Sequence, residues 1–168
     1  MAAVKKAKAV GIQYAALPYR LADRRLEVLL ITSRETRRWV LPKGWPMKGL
    51  RPHEAAAREA GEEAGIIGEI EPSPLGSYRY VKALKGGASV PVQVIVFPLR
   101  VSYQAQSWKE QGERQLHWFG YQQATALVAE PDLKKLIRQF GHANATGVLP
   151  AVARMGRWMD QAFFGLRR

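Results

Sequence analysis

Residues Gly44–Ile66 read GWPMKGLRPHEAAAREAGEEAGI. The stretch opens as a loop rich in Pro and Gly, then turns to Ala and Glu. Pro52 suits the first turn of a helix and Gly65 supplies a C-terminal stop, so the pattern predicts a helix over His53–Ala64. On that helix Glu59 and Glu63 are four residues apart, and Glu62 is three from Glu59. At about 100° per residue the three carboxylates fall within an arc of roughly 100°. Like charges at this spacing destabilise a helix by a few tenths of a kcal/mol per pair, roughly. Two readings follow: a solvated acidic face, or hard oxygen donors for a divalent ion such as Mg²⁺ or Mn²⁺, with water and substrate phosphates completing the shell. The preceding loop and the basic character of the rest of the chain favour the metal. Arg58, four residues before Glu62, is spaced to pair with it.

The 168 residues suit one domain, and an apolar fraction of 47% is enough for a core. Without cysteine, disulfides, zinc–thiolate sites and cysteine nucleophiles are excluded. The opening MAAVKKAKAV lacks the apolar segment of a signal peptide, and no apolar run approaches the roughly 18 residues that span a bilayer. The expectation is a soluble, cytoplasmic protein with no membrane partner. Net charge is the unusual feature: 26 Lys and Arg against 14 Asp and Glu give +12. Such an excess favours polyphosphates, nucleic acid or acidic membranes, or serves solubility alone.

Along the chain, Val10–Leu17 and Leu26–Thr32 read as strands joined across Leu21–Arg25, with Trp39–Leu41 a shorter third piece. Pro42–Pro52 reads as irregular loop. Ser77–Leu84 and Val90–Val101 form a hairpin pair around Lys85-Gly86-Gly87, the second strand apolar on both faces and therefore central. His117–Tyr121 reads as a short strand and Asp132–Phe140 as a helix. The pattern predicts a mixed α/β layer architecture. Residues 1–9 form a basic extension and residues 10–140 the domain. Residues 141–168 carry Leu149, Val152, Met155, Met159 and Phe163 at near-helical spacing, interleaved with Arg154 and Arg157. That segment reads as an amphipathic helix packed on the domain or on a second copy, in preference to one lying on a membrane.

With its charged positions in view, the stretch from Gly44 resembles the Nudix box, G-x5-E-x7-R-E-U-x-E-E-x-G-U, where U is a bulky aliphatic residue. Gly44 matches the first glycine, and Arg58-Glu59-Ala60-Gly61-Glu62-Glu63-Ala64-Gly65-Ile66 matches the second half at every charged position. The likeness extends over roughly residues 10–140. Leu50 stands where the pattern has its first Glu, and Ala60 where a larger aliphatic is usual. The resemblance implies a Nudix α/β/α sandwich with a mixed β-sheet and a loop–helix–loop. It implies hydrolysis of a P–O–P bond with Mg²⁺ or Mn²⁺ bound by Glu59, Glu62, Glu63 and the Gly44 carbonyl, and a structural role for Arg58 within the helix. The general base stays open among Glu63, Glu110 and Glu113.

Within that family the chain is similar to diphosphoinositol polyphosphate phosphohydrolases in the order of Thr32-Ser33-Arg34, Arg38-Trp39-Val40-Leu41-Pro42 and Trp118-Phe119. Lys43 and His117 depart from that group's pattern, and relatives that cut diadenosine polyphosphates share the same anionic substrate character. The likeness implies that Arg34, Lys43, Gly44 and Trp45 face the substrate, and basic residues near the box extend the expected site to Arg38 and Lys48. Arg37, Arg51, Arg79, Lys82, Lys85 and Arg114 are further contributors or a solvated basic rim. His53 and His142 have no spaced partners and read as no ligands. The expected partner is a polyanionic small molecule, with the protein a monomer or homodimer. Removal of pyrophosphate from RNA 5′ ends is the alternative reaction, although no aromatic–basic repeat marks a stable nucleic-acid partner. A ligand sensor is the non-enzymatic alternative, suggested by Leu50.

Overall fold

The computed structural model describes residues 10–145. These form β1 (Gly11–Ala22), β2 (Arg25–Thr32), β3 (Trp39–Val40), β4 (Lys43–Gly44), α1 (Pro52–Ala64), β5 (Ile66–Ile70), β6 (Gly76–Ala83), β7 (Ser89–Gln104), β8 (Leu116–Gly120), α2 (Tyr121–Leu127) and α3 (Pro131–Ala145). One mixed sheet runs β3-β2-β1-β7-β5, with β4 on β1, β6 on β7 and β8 on β2. β1 and β7 are parallel over Gly11–Tyr19 and Val92–Arg100. β7 is central, as its two apolar faces require: Val92, Val94 and Val96 are buried towards one side and Phe97 and Leu99 help form the core on the other.

The helices cover both faces. α1 lays Ala56, Ala60 and Ala64 against Ala16, Leu29, Ile31, Phe97 and Leu99. Small side chains let the helix sit close to the sheet, which explains why Ala60 needs no larger aliphatic. α2 and α3 close the opposite face with Tyr121, Ala124, Leu133, Ile137 and Phe140 against Leu17, Val28, Leu30 and Val94. The result is the mixed α/β layer architecture that the sequence pattern predicted, in the α/β/α form with a mixed sheet that the family resemblance implied.

α1 begins at Pro52, where the backbone N–H of Arg51 donates to the Glu54 carboxylate at 2.7 Å. It ends at Gly65, whose left-handed φ of 67° suits a residue without Cβ. Several boundaries differ from the sequence reading. β1 runs on to Ala22, because Asp23 and Arg24 both take positive φ and close a two-residue hairpin between Ala22 and Arg25. Within the loop expected over Pro42–Pro52, Lys43–Gly44 pairs with Tyr14 and Ala15 of β1. β5 follows α1 directly, and α2 fills a stretch to which no element was assigned.

α3 continues to Ala145, and its Gly141 packs so closely on the Tyr121 ring that a side chain there would overlap it. Residues 141–145 therefore belong to the packed domain. The remainder of the expected C-terminal helix, and the basic extension over residues 1–9, lie outside the described residues. No helix among the described residues is long and apolar enough to cross a membrane.

Candidate functional site

α1 runs along one rim of a cleft of about 750 Å³ whose other walls come from β3, β4, β6 and the loop after β7. Glu59 and Glu63, one turn apart, both line it, as do Arg34, Arg38, Lys43, Gly44 and Trp45. Lys48 does not, and its side chain lies exposed outside the cleft lining. Glu62 turns away as well: its carboxylate meets Lys109 Nζ at 3.1 Å and faces a second groove with Arg58. The pairing expected between Arg58 and Glu62 is thus taken by Lys109, and Arg58 makes no ion pair among the described residues. The 100° arc is real, but its two edges look into the cleft at 59 and 63 on one side and into the groove at 62 on the other.

The close approach of Gly44 to Glu59 explains the glycine. A Cβ at position 44 would overlap the Glu59 carboxylate. Glu63 is buried and held on both oxygens: Lys43 N–H donates to Oε2 at 3.1 Å, and Arg114 Nη2 donates to Oε1 at 2.8 Å. Burial pushes its carboxyl up to about 7, against the pull of Arg114 and Lys43. Glu59 is also raised, first by burial and then by the charges of Glu62 and Glu110. Desolvation brings the Lys43 amine down to about 8, although Glu63 opposes it. Carboxylates raised by burial and mutual repulsion are what a divalent cation would relieve.

The donor chemistry fits Mg²⁺ or Mn²⁺. Among the described residues no three Asp, Glu or His side chains form a ready-made cage. Mg²⁺ in phosphate sites commonly takes one or two carboxylates and leaves the remaining positions to water and substrate oxygens. Glu59 and Glu63, with the backbone at Gly44, would supply that smaller set. Glu62, expected as a further ligand or a water-orienting group, does not line the cleft and pairs with Lys109, which does.

Residues far from α1 in sequence complete the site. Arg114, whose side chain is 8% exposed, reaches from the loop after β7 to Glu63, to the Thr32 carbonyl at 3.2 Å and to Glu110 at 3.5 Å. Arg34 meets Glu110 and Glu113, each at 3.4 Å. The loop itself is fixed on α1, because Glu110 N–H donates to the Glu62 carbonyl and Trp108 packs over Gly65. Sequence reading missed Glu130, which pairs with Arg38 at 3.2 Å in the cleft, and Tyr80, whose ring lies 5.3 Å from the Lys43 amine. Neither has a local signal; each enters only when the strands are assembled.

The cleft lining holds six basic side chains (Arg34, Arg38, Lys43, Lys82, Lys109, Arg114) and six acidic ones (Glu35, Glu59, Glu63, Glu110, Glu113, Glu130). Its formal charge is therefore balanced, and the +12 of the chain is not concentrated there. Residues 1–9 and 146–168 carry seven of the 26 basic residues and one of the 14 acidic ones.

Leu50 faces the second groove, beside Ala57, Ile66, Ile67, Ile70 and Trp108, and not the cleft. An apolar neighbourhood explains Leu at that position. Leu50→Glu is expected to change turnover by less than about tenfold, or ~1.4 kcal/mol. Arg58 in the same groove offers the new carboxylate a counter-charge. Steady-state assay of both proteins decides it, and robust activity confined to the variant would identify the natural chain as a ligand sensor.

A mixed sheet lies between helices, with a carboxylate pair on the helix that follows a glycine loop. Comparison with known proteins identifies the family. The NUDIX domain family model matches residues 13–140, and the chain belongs to the Nudix family. Nudix hydrolase 13, mitochondrial, from Arabidopsis thaliana is 30% identical over 145 residues, covering 74% of this chain and 70% of that protein. Nudix hydrolase 17, mitochondrial, from the same organism is 33% identical over 99 residues, 59% of this chain and 52% of its own length. The chain thus spans from about half to little more than two thirds of these curated relatives. Among solved structures, a Caenorhabditis elegans Ap4A hydrolase binary complex superposes with a TM-score of 0.61 at 23% identity, over 82% of this chain and 99% of that one. The Escherichia coli dihydroneopterin triphosphate pyrophosphohydrolase gives 0.61 at 18% identity, over 80% and 99%. At these identities the structural likeness shows the shared fold.

Proposed function

We propose that this chain is a divalent-metal-dependent hydrolase that cuts a phosphoanhydride bridge in a polyanionic small molecule, a diphosphoinositol polyphosphate or a diadenosine polyphosphate. One observation carries the reading: Glu59 and Glu63 share a cleft with Arg34, Lys43, Lys82 and Arg114. The relatives' name of hydrolase, and the neighbours' titles of Ap4A hydrolase and pyrophosphohydrolase, support the reaction class.

A bound Mg²⁺ or Mn²⁺ would neutralise phosphate charge and make a bound water more acidic. The protein supplies position and counter-charge. Arg34, exposed at the mouth, can grip a phosphate through two parallel hydrogen bonds. Arg114 and the Lys43 amide fix the Glu63 carboxylate. Of the three carboxylates open for the general-base role, Glu63 is held by two donors and Glu113 is half-exposed. Glu110, 16% exposed, is held less tightly than Glu63, by Arg34 at 3.4 Å and Arg114 at 3.5 Å, and fits that role best.

Because the charges of the cleft lining balance, affinity for many phosphates would come largely with the metal. The test is phosphate release from inositol pyrophosphates, diadenosine polyphosphates, nucleoside triphosphates and 5′-triphosphate RNA, with Mg²⁺, with Mn²⁺ and with chelator. Release is expected with metal only. kcat/KM should rise with phosphate number and fall as salt is raised from about 0.05 to about 0.5 M, the Debye length shrinking from about 14 to about 4 Å. Release from no member of the panel would overturn the reading, and preference for the RNA would replace the small-molecule substrate.

A further inference from the structure

We propose that the amphipathic stretch over residues 150–163 packs, within the same chain, into the apolar groove on the outer side of α1. That groove has a volume of about 610 Å³. Ala57 and Gly61 line it from α1, Ile67 and Ile70 from β5, and Trp108 from the loop that carries Glu110 and Arg114. Its apolar surface runs out onto the edge of the sheet, where β5 has a strand partner on one side only. Ile67 is 42% exposed there, and Tyr103, its partner across the ladder, 61%. Open apolar surface of this extent marks a place where something packs.

Gly61 indicates how closely. Outside its own helix, a Cβ at this position would meet nothing nearer than the Ile66 carbonyl oxygen at 3.8 Å. The described residues therefore do not demand glycine, and glycine weakens a helix interior relative to alanine. A backbone passing directly over this turn of α1 does demand it.

The occupant is identified by sequence, reach and charge. Val152, Met155, Met159 and Phe163 recur at helical spacing, after a proline at position 150 that suits a first turn. The steps from Val152 to Met159 and from Glu54 to Gly61 are equal, about 10 Å of helix each. Methionine side chains adapt to irregular apolar gaps. α3 ends at Ala145 on the other face of the sheet, its Phe140 ring edge-on to Tyr19 with centroids 4.9 Å apart. Tyr19, Arg100 and Glu69 occupy one row across β1, β7 and β5, so the free edge is two strand spacings away, about 10 Å. Residues 146–149 extend up to about 14 Å. Passing round that edge brings Arg154 and Arg157 towards Glu69 and Glu71, exposed carboxylates in no ion pair among the described residues. A second copy is the weaker occupant. Chains of net charge +12 repel one another, whereas a tethered segment has an effective concentration on the order of millimolar.

The chain has no cysteine, so introduced pairs report directly on this contact. Ile67→Cys is combined with Met155→Cys or with Met159→Cys in the full chain, and disulfide formation is followed by non-reducing gel and peptide mass spectrometry. At least one pair is expected to close within a single chain at least about tenfold faster than Val81→Cys with Met159→Cys. Val81 is 67% exposed but lies on the cleft side, at the far end of β7 from Ile67. Gly61→Leu, which fills the floor of the groove, should slow closure by a similar factor. Without introduced cysteines, Met155→Asp combined with Met159→Asp should lower the melting temperature by about 3 °C or more, because the stripe no longer packs. Disulfides that form only between chains would place a second copy in the groove and overturn the proposal. Closure no faster than in the Val81→Cys control, closure indifferent to Gly61→Leu, or a melting temperature untouched by the paired Asp substitutions would each overturn it as well.

Discussion

Glu63→Gln is expected to lower turnover at least about 10²-fold, a loss of ~2.7 kcal/mol in transition-state stabilisation. The substitution preserves size and removes one charge from the proposed metal-binding pair. It also has a structural consequence set by the geometry around it. Both Glu63 oxygens accept from donors, Lys43 N–H at 3.1 Å and Arg114 Nη2 at 2.8 Å. A Gln amide offers one acceptor and turns its NH2 towards the other donor. A modest fall in stability, about 1 kcal/mol, should therefore accompany the loss of turnover. Glu59→Gln separates the two effects. Glu59 has no such pair of donors and feels repulsion from Glu62 and Glu110, so its variant should lose turnover while keeping or gaining stability. Unchanged kcat in both variants, measured at saturating Mg²⁺, would sink the metal mechanism.

The helix carrying those carboxylates was legible because its signals are local. Pro52, the Ala/Glu run and Gly65 lie within one short stretch, and the three Glu positions follow from helical periodicity alone. The central strand β7 was legible for a similar reason, since apolar residues on both faces leave burial as the only solution. β5 was not assigned. It has five residues, and its Gly68 sits where a side chain would meet the Arg100 carbonyl, at an irregularity in the pairing with β7. That close approach exists only once the strands meet. The orientation of Glu62 escaped for a related reason: periodicity gives the angle around the helix, while Lys109 in a distant loop decides which groove the carboxylate faces. Lys48 was placed by its nearness in sequence to the box, and the loop carries it outside the cleft lining. Glu130 had no motif at all. It becomes a site residue because α3 starts where β3 brings Arg38.

Arg114→Met is expected to destabilise the metal-free protein by about 2–4 kcal/mol at pH 8.5, because it removes the guanidinium from a buried ion pair and leaves the carboxylate behind. The side chains of Arg114 and Glu63 are each 8% exposed, so solvent screens little of the interaction. The effect should depend on pH in a defined sense. Glu63 already titrates near 7 in the folded protein, above the ordinary carboxylate range, because burial outweighs Arg114 and Lys43. A raised folded pKa favours the folded state when the group is protonated, and that contribution is lost as pH rises through 7. Without Arg114 the carboxyl must rise further, and each additional unit corresponds to about 1.4 kcal/mol. At pH 5.5 Glu63 is largely protonated with or without the arginine, so the difference between wild type and variant should be smaller there by at least ~1 kcal/mol. Urea unfolding of both proteins at the two pH values, in chelator, measures this directly. A difference that stays flat between pH 5.5 and 8.5 would mean that Arg114 acts through its bonds to the Thr32 carbonyl and Glu110, and not as the counter-ion that keeps Glu63 ready for a metal.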